Sequence, residues 1–514
     1  MSDLLLVNAN VITMNPAFPR AKIIRIRNGE IASVSADDTP SLRKCTSSKN
    51  EVIDCQGKTV VPGFIDPHCH LLSYAYSFVT LDVGPRNVSS ISDIQNLVRK
   101  ASQELPPGTW IKGRGYDEFY LAEKRHPTRW DLDAASPAHP VRITHRSGHA
   151  QLLNSLALER VGISDETGDP PDGLIDRNIT SGEPTGLLYG MDTTIARFVS
   201  ATQNNLVEEG IRLAGRALAA QGITSIHDCS SRNDPSRLDL FRAWQQRGYL
   251  PQRVSMVLGW EAFQKIQERQ GTTRGDDLVR IAGVKIIIHE ITGQLSPSQS
   301  ELNEMVLQIH QAGYQAVLHA IEVKPIMAAC TAIEHALKVS PAAAHRHRIE
   351  HCSVCPPALA KRLASARIMV VTQPAFVYYN GERYLRTVPK GDLKHLYPVS
   401  TLMRHGVKVA GSSDFPVVPP NPLIGIYAAV TRRAENGEYI LPKERITPLE
   451  ALSLFTNNAA SATCTETTRG SISPGKLADL AILSGDPTSL PEEAIKDIQV
   501  DMTIINGQVI WERG

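Results

Sequence analysis

The middle of this 514-residue chain alternates short apolar segments with longer amphipathic ones, and this alternation limits the fold more than any other feature. Continuous apolar runs are typical of parallel strands that are buried on both faces. Repeated βα units in this number predict a (β/α)₈ barrel of the α/β class, the TIM barrel. The predicted strands are Val60–Ile65, Ser225–His227, Arg253–Leu258, Gly283–Ile288, Gln315–Leu318, Arg348–Glu350, Met369–Gln373 and Val407–Ala410.

An open, doubly wound sheet is the alternative α/β architecture. That fold carries a glycine-rich turn between a strand and the following helix, and no such turn supports it here. The barrel is therefore the favoured interpretation. The predicted helices include Leu206–Gln221, Pro235–Gly248, Ser298–Ala312 and Lys324–Leu337.

Both ends of the chain contain short strands and turns instead of βα units. Leu4–Ile12 is an apolar run near the start, and Val500–Ile510 is a predicted hairpin around Asn506-Gly507. Chain termini often lie near each other. We therefore expect residues 1–60 and 461–514 to form one small β domain beside a barrel of residues 61–460.

Residues 81–200 fit the barrel pattern poorly. They are rich in Pro, Gly and Asp, and they contain Trp110, Tyr116 and Trp130. We interpret this segment as an insertion after the first barrel strand, in a place where it could cap the barrel mouth.

Composition and charge exclude several classes of protein. A net charge of +1 gives no global field for nucleic acid or a membrane surface. The start of the chain lacks the basic region of a secretory signal, and no apolar run approaches the ~18 residues of a membrane span. Of the eight cysteines, only Cys352 and Cys355 are closely spaced, and we expect buried thiols, not a zinc ribbon or a redox pair. These features predict a cytoplasmic protein.

The first candidate site is Asp66-Pro-His-Cys-His70, at the end of the first predicted barrel strand. Residues two apart in an extended chain point to the same side, so His68 and His70 can hold one metal ion. His-x-His alone is a weak signal. Its place matters, because barrel enzymes keep their sites at the carboxyl ends of the strands.

Four further polar residues lie at corresponding places: Lys285, His319, His351 and Asp414. A lysine inside an apolar strand is costly to bury unless it is paired or neutral. For any one of these residues, a hydrogen-bonded core position is the simpler interpretation. Six such residues in order at strand ends are hard to explain that way, and they predict a metal centre.

The sequence resembles the amidohydrolase superfamily, and within it the YtcJ-like branch (amidohydrolase family 3), which includes N-substituted formamide deformylase. The resemblance covers nearly the whole chain. It is carried by Pro62-Gly-Phe-Ile-Asp-Pro-His-Cys-His70, Trp110-Ile-Lys-Gly-Arg-Gly-Tyr-Asp-Glu118, Ser147-Gly-His-Ala150, His347-Arg-Ile-Glu-His351, Gly411-Ser-Ser-Asp-Phe-Pro416 and Gly470-Ser-Ile-Ser-Pro-Gly-Lys-Leu-Ala-Asp-Leu480.

The resemblance implies a barrel plus a β-sandwich built from both termini. It also implies that one or two divalent transition metal ions are bound. Zinc suits the donor types best, with iron, manganese and nickel as alternatives. In the two-metal form the lysine carries a CO₂-derived carbamate that bridges the ions. The implied ligands are His68, His70, Lys285, His319, His351 and Asp414.

The sequence departs from relatives at three places. It has His319-Ala-Ile-Glu-Val323 where many relatives have His-Ala-Ile-Gly-Asp, and His289-Glu290 lies where an Asp is common. Gln373-Pro-Ala-Phe-Val-Tyr-Tyr379 is apolar and aromatic where a His often follows the Gln-Pro. These changes leave the implied ligands in place but prevent a transfer of substrate.

The expected reaction is hydrolysis of a non-peptide C–N bond in an amide, formamide or cyclic amide. Asp414 would take a proton from the attacking water and return one to the leaving group. His351 or a second metal would polarise the carbonyl, and His149 would hold the substrate or its oxyanion. For His149, capping of the next helix is an equally weighted alternative. Weaker candidates for the substrate pocket are His145, Glu290, Phe376 and Tyr378.

Two other functions stay open at this point. One is another metal-dependent reaction on the same scaffold, such as lactone, ester or phosphoester hydrolysis or decarboxylation. The other is a catalytically silent metal-binding regulatory protein. The expected partner is a small-molecule substrate, with no nucleic acid and no membrane, and a homodimer is left open.

Overall fold

The computed structural model of the protein describes residues 4–36, 51–170, 173–191, 195, 198, 204–268, 275–276, 278–291 and 294–514. The chain forms two compact units, Met1–Leu71 with Ala214–Gly514, and Leu72–Leu213. The strands are β1 (Leu4–Val7), β2 (Asn10–Ile12), β3 (Arg20–Ala21), β4 (Ile23–Arg27), β5 (Glu30–Ser35), β6 (Glu51–Asp54), β7 (Thr59–Pro62), β8 (Phe64–Cys69), β9 (Leu81–Asp82), β10 (Ile111–Tyr116), β11 (Val141–His145), β12 (Ala150–Leu153), β13 (Leu174–Arg177), β14 (Pro184–Tyr189), β15 (Ile223–Asp228), β16 (Arg253–Gly259), β17 (Val279–Ile287), β18 (His289–Ile291), β19 (Gln294–Ser296), β20 (Gln315–Ala320), β21 (Arg348–His351), β22 (Met369–Thr372), β23 (Val409–Gly411), β24 (Leu480–Leu483), β25 (Val500–Ile505) and β26 (Gln508–Glu512).

Helices connect most of these strands, and two short 3₁₀ helices cover Pro442–Glu444 and Glu492–Asp497. The α-helices are α1 (Leu71–Ser77), α2 (Ile91–Glu104), α3 (Arg129–Asp133), α4 (Ser155–Val161), α5 (Asn204–Ala220), α6 (Pro235–Gln246), α7 (Trp260–Glu268), α8 (Gln299–Gln311), α9 (Val323–Val339), α10 (Pro357–Ser365), α11 (Ala375–Thr387), α12 (Lys390–Leu393), α13 (Val399–Arg404), α14 (Pro422–Thr431), α15 (Pro448–Leu454) and α16 (Asn457–Ala462). Within the described residues, no helix has the length and apolar character that crossing a membrane requires.

The first unit contains a nearly closed barrel of eight parallel strands, in the order β8-β15-β16-β17-β20-β21-β22-β23. Most residues of these strands are buried, as expected where side chains fill the barrel and helices cover its outside. Two backbone hydrogen bonds, from His70 N to Phe415 O and from Asp414 N to His68 O, join the end of β8 to the loop after β23. The predicted barrel is confirmed.

The first barrel strand differs from its prediction. The apolar run Val60–Ile65 is divided between two sheets: β7 pairs antiparallel with β24, and β8 begins the barrel at Phe64. A Cβ atom on the intervening Gly63 would lie 2.3 Å from Cγ2 of Thr224, so the crossing requires glycine. The apolar pattern of the sequence cannot distinguish one continuous strand from two strands in different sheets. His68 consequently lies inside β8, not after it.

The two ends of the chain form the second sheet system of this unit. One sheet has the order β5-β4-β1-β6, and the other has the order β26-β25-β24-β7-β2-β3. Leu6 and Ile24 from the first sheet and Val60, Leu480 and Ile504 from the second belong to one buried cluster. Each such buried side chain contributes roughly 1.5–3 kcal/mol relative to an exposed one. The sandwich of both termini is confirmed.

Several polar contacts connect this sandwich with the barrel. The Arg253 guanidinium on β16 pairs with both oxygens of Asp479, at 2.7 and 3.2 Å, and both side chains are almost completely buried. The Thr503 hydroxyl donates to Ala219 O, and Gly63 N donates to Asp479 O. Asp479 therefore contacts Arg253 on β16 with its side chain and Gly63, the residue before β8, with its backbone oxygen.

The second unit has its own sheet, in the order β13-β14-β12-β11-β10-β9. Its helix α2 begins with a capping box at Ser90 and buries Ile91, Ile94 and Val98. The unit covers Leu72–Leu213 and so extends beyond the predicted insertion at residues 81–200.

Candidate metal centre

The six predicted ligands all belong to the barrel unit. His68 lies on β8 and His70 directly follows it; Lys285 lies on β17 and His319 on β20. His351 is the last residue of β21, and Asp414 follows β23 in the loop. The barrel topology thus places them around one end of the strands.

Four imidazole rings and a carboxylate converge here. Asp414 Oδ1 lies 3.5 Å from Nε2 of His68 and 3.1 Å from Nε2 of His70. The His351 ring centroid lies 4.9 Å from that of His68 and 4.4 Å from that of His319. His68, His351 and Asp414 each offer a ligand atom within 4.8 Å of the others.

Unusual backbone conformations orient the side chains of His351 and Asp414. His351 and Asp414 have φ angles of +69° and +57°, in the left-handed region that non-glycine residues rarely adopt. In a regular strand, His351 would point away from the side that Glu350 faces. At each strand end, the left-handed backbone directs the side chain, of His351 or of Asp414, toward the barrel interior. Such conformations cluster at functional sites, where the surrounding structure holds them.

Hydrogen bonds to Nδ1 orient three of the rings. His68 Nδ1 contacts Glu350 Oε2, His70 Nδ1 lies 3.1 Å from Ser230 Oγ, and His351 Nδ1 lies 2.9 Å from Gln373 Oε1. Gln373 in turn donates to Ser412 Oγ. With Nδ1 engaged in each ring, Nε2 is the nitrogen available to the shared site, which is the usual arrangement of metal-binding histidines.

Asp66 fastens β8 to the loop that carries Asp414. Its carboxylate accepts hydrogen bonds from Ser413 Oγ at 2.5 Å, Ser413 N at 3.2 Å and His68 N at 3.3 Å. Burial raises the pKa of Asp66 to about 7, although these hydrogen bonds act in the opposite direction. The residue helps to hold His68 and Asp414 side by side.

Electrostatics favour neutral rings beside an anionic carboxylate. Burial lowers the pKa of His68 well below its ordinary value, and the neighbouring Lys285 acts in the same direction. Burial also lowers the pKa of His351, against the effect of the Asp414 carboxylate. Burial alone would raise the pKa of Asp414, but its hydrogen bond with His70 acts in the opposite direction, and the pKa lies well below its ordinary value. These are the protonation states that bind metal.

The chemistry of this donor set fits a divalent transition metal. Imidazole nitrogens with a carboxylate oxygen are typical ligands of zinc and its neighbours. In the described part of the chain, the buried Lys285 Nζ has no hydrogen-bond partner. A buried, unpaired amine next to these groups is a second observation that fits a metal site with a modified lysine.

The pocket candidates of the barrel unit lie in different surroundings. Glu290, about one-third exposed, forms an ion pair with Lys324 at 2.9 Å, so the alternative pairing of Glu290 with Lys285 is not observed. Phe376 and Tyr378 lie on α11, where Phe376 is buried in an apolar cluster and Tyr378 packs against it.

The candidates in the second unit lie near a separate polar cluster. His145 Nε2 is 2.9 Å from Glu118 Oε2, and His126 Nδ1 is 3.8 Å from the same oxygen. Burial alone would raise the pKa of Glu118, but the bond with His145 outweighs it and lowers the pKa to about 2. His149 is exposed in the turn before β12. Its predicted alternative role as a helix cap is wrong, because Asn154 caps α4 with its own side chain.

Comparison with known proteins identifies the family. A model described as the amidohydrolase family matches residues 51–511. The chain belongs to the amidohydrolase family. N-substituted formamide deformylase from Arthrobacter pascens is 28% identical to this amidohydrolase over 100% of this chain and 99% of its own length. The YtcJ protein of Bacillus subtilis (strain 168) is 27% identical over 98% of both chains.

A solved structure shares the fold of this amidohydrolase. An uncharacterized metal-dependent hydrolase from Pyrococcus horikoshii OT3 superposes with a TM-score of 0.76 at 22% identity, over 96% of this chain and 99% of that one. The predicted family and fold class are both confirmed.

Some contacts at this amidohydrolase's candidate site were not predicted from the sequence. Glu350, Gln373 and Asp66 each touch a predicted ligand. For Glu350 a signal existed, since Arg348-Ile-Glu350 places two charged residues on one side of a strand that the barrel buries. The same alternation of charged and apolar residues is also typical of a half-exposed strand, so it did not distinguish a buried strand from a half-exposed one.

Proposed function

We propose that this amidohydrolase hydrolyses a non-peptide C–N bond of a small molecule, such as an amide, formamide or cyclic amide, with a divalent transition metal. The convergence of His68, His70, His351 and Asp414 in the barrel carries the proposal. Full-length similarity to a protein named N-substituted formamide deformylase makes N-substituted formamides the first substrates to test.

The residues that would hold the metal are His68, His70, Lys285, His319, His351 and Asp414. We propose zinc first, as one or two ions. A bound ion of this kind lowers the pKa of a water molecule towards ~7 and polarises a carbonyl group.

Lys285 would act as a carbamate. Its unpaired Nζ is buried beside the histidines, where an ammonium group would be costly. The neutral amine would form an N–C bond to CO₂ and lose one proton to solvent, which gives an anionic oxygen ligand. An ammonium group offers only donors and could not serve as a ligand.

Asp414 is the proposed proton carrier. Its Oδ1 lies 3.1 Å from Nε2 of His70 and 3.5 Å from Nε2 of His68, and from this place the carboxylate would accept a proton from the attacking water. The same carboxyl group would then deliver the proton to the leaving nitrogen. His351 or a second metal ion is the proposed group for polarising the substrate carbonyl.

The substrate-binding assignments also remain proposals. His149 would hold the substrate carbonyl or its developing oxyanion. His145, Glu290, Phe376 and Tyr378 would supply polar and aromatic contacts to the substrate. A homodimer and a cytoplasmic location likewise stay predictions.

Metal analysis combined with a substrate panel tests the function. The purified protein should contain stoichiometric transition metal and hydrolyse N-substituted formamides or related amides. His68→Ala with His70→Ala should remove most of the metal and the activity, whereas His335→Ala, at an exposed helix position, should preserve both. Turnover of lactones or phosphoesters alone would favour the other metal-dependent reactions. Bound metal with no turnover on any of these substrates would favour a silent regulatory protein.

A further inference from the structure

A fully buried network of polar groups, two of them charged, lies directly behind the candidate metal centre. Its members are Arg348 and Glu350 on β21 and His68 on β8. The side chains of Arg348 and Glu350 are completely buried, and that of His68 is 1% exposed. Because β21 and β8 are not neighbours in the sheet, these side chains meet across the barrel interior.

The two carboxylate oxygens of Glu350 have different partners. Oε2 contacts His68 Nδ1, and Oε1 accepts a hydrogen bond of 2.6 Å from Arg348 Nε. A carboxylate needed only as the counter-ion of Arg348 would not have to reach β8. Its second oxygen instead engages the ring nitrogen of His68 that faces away from the shared site.

Arg348 holds this carboxylate and the backbone of the histidine strand together. Its Nη1 donates to Ala462 O at 2.8 Å, and its Nη2 donates to Pro67 O at 2.9 Å and lies 3.4 Å from Cys229 Sγ. Pro67 directly precedes His68. The rigid guanidinium fork therefore fixes both the acceptor of the His68 ring and the peptide that carries it.

These contacts also explain a second group of possible metal ligands, His68, Cys229 and Glu350, whose ligand atoms lie close together. The guanidinium of Arg348 already contacts both Glu350 and Cys229. A metal ion at that place would lie next to a fixed positive charge. This group is therefore a hydrogen-bond network and not a separate cation site.

We infer that Glu350 is a positioning residue for metal binding: it accepts a hydrogen bond from Nδ1–H of His68, fixes the ring tautomer and directs Nε2 to the metal, while Arg348 holds Glu350 in place. The inference rests on the proposed function, since it requires His68 to be a metal ligand. Hydrophobic residues could replace a buried ion pair with little loss of stability, so the retained charges point to a positional role. Carboxylates behind metal-binding histidines typically strengthen metal affinity 10–100-fold.

Metal affinity in competition with a chelator tests this role, with Zn²⁺ as the probe and the full-length protein throughout. Glu350→Gln removes the charge and keeps the shape, and we expect Zn²⁺ to bind about 10–100-fold more weakly. Asp479→Asn is the matched control, because it disrupts a buried carboxylate–arginine pair between sandwich and barrel that touches no predicted ligand. It should lower stability and leave Zn²⁺ affinity at the wild-type value.

The double variant Arg348→Met with Glu350→Met separates positioning from structural support. It removes both buried charges, so it should fold even if Glu350→Gln, which leaves Arg348 unpaired, does not. Positioning predicts that the double variant still binds Zn²⁺ at least about tenfold more weakly, because His68 Nδ1 has lost its acceptor. Wild-type affinity in the double variant, or equal losses in Glu350→Gln and Asp479→Asn, would overturn the inference. A wild-type protein without stoichiometric metal would refute the proposed function as well.

Discussion

Replacing Asp479 by Asn should strongly destabilise the protein, because it leaves a buried guanidinium without its counter-ion. Arg253 and Asp479 form two hydrogen bonds, and their side chains are 3% and 2% exposed. The backbone N–H of Asn506 also donates to Asp479 Oδ1, and the amide oxygen of Asn could still accept that bond. The main loss is therefore the charge.

The size of this effect follows from the burial of the pair. Removing one partner of a buried ion pair costs about 3–5 kcal/mol, because the remaining charge is uncompensated in a medium of low polarity. The control is Glu209→Gln, which breaks the pair of Arg212 and Glu209, where both side chains are nearly half exposed. Such an exposed pair contributes at most about 1 kcal/mol.

Urea unfolding followed by circular dichroism, with all proteins in the same metal-loaded state, measures both variants. A further variant, Arg253→Met with Asp479→Leu, should recover most of the lost free energy of unfolding, because no charge then remains buried. The reasoning is refuted if Asp479→Asn costs no more than Glu209→Gln. It is equally refuted if the double variant loses as much free energy of unfolding as the single variants Arg253→Met and Asp479→Leu lose together.

Three further predictions concern stability and metal binding. His347 is buried, and burial together with His345 and His310 lowers its pKa to about 3. In the unfolded chain the pKa is about 6.5, so the contribution of His347 to the free energy of unfolding is complete above about pH 6.5. This contribution falls by up to ~1.4 kcal/mol per pH unit as the pH drops towards 3. Unfolding measured from pH 7 to pH 5 should show this slope, and His347→Gln should reduce it by about one proton. Gly63→Ala should destabilise by roughly 1–3 kcal/mol, because its Cβ would overlap Thr224, and an unchanged urea midpoint would show that the crossing tolerates a side chain. Lys285→Ala should lose activity and recover part of it with added short carboxylic acids; no recovery, together with an unmodified lysine in metal-loaded crystals grown with bicarbonate, would contradict the carbamate.

The sequence could point to candidate ligand residues because barrel strands have a simple relation to function. Polar residues that end apolar strands converge at one end of a barrel, so His351 and Asp414 could be assigned without knowledge of their distances. Their left-handed backbone was not predictable, because nothing in the local sequence requires it. Glycine would be the usual signal for such a conformation, and neither residue is glycine.

Contacts across the barrel interior were the part that the sequence could not reveal. Glu350 and His68 are separated by 282 positions and by several strands, so their contact depends on the closed barrel. The division of Val60–Ile65 between two sheets was hidden for another reason, since both halves are buried and apolar. Long-range geometry decides both features, and local periodicity carries no information about it.

The joint at Gly63 has a mechanical consequence. The chain leaves the sandwich through β7 and enters the barrel through β8 with one residue between them, and β8 carries His68. The backbone of β7, which pairs with β24 in the sandwich, is therefore continuous with the strand that carries His68. The terminal strands therefore cannot be exchanged independently, and a chimera that keeps the predicted metal ligands in register must transfer β7, Gly63 and β8 together with β24.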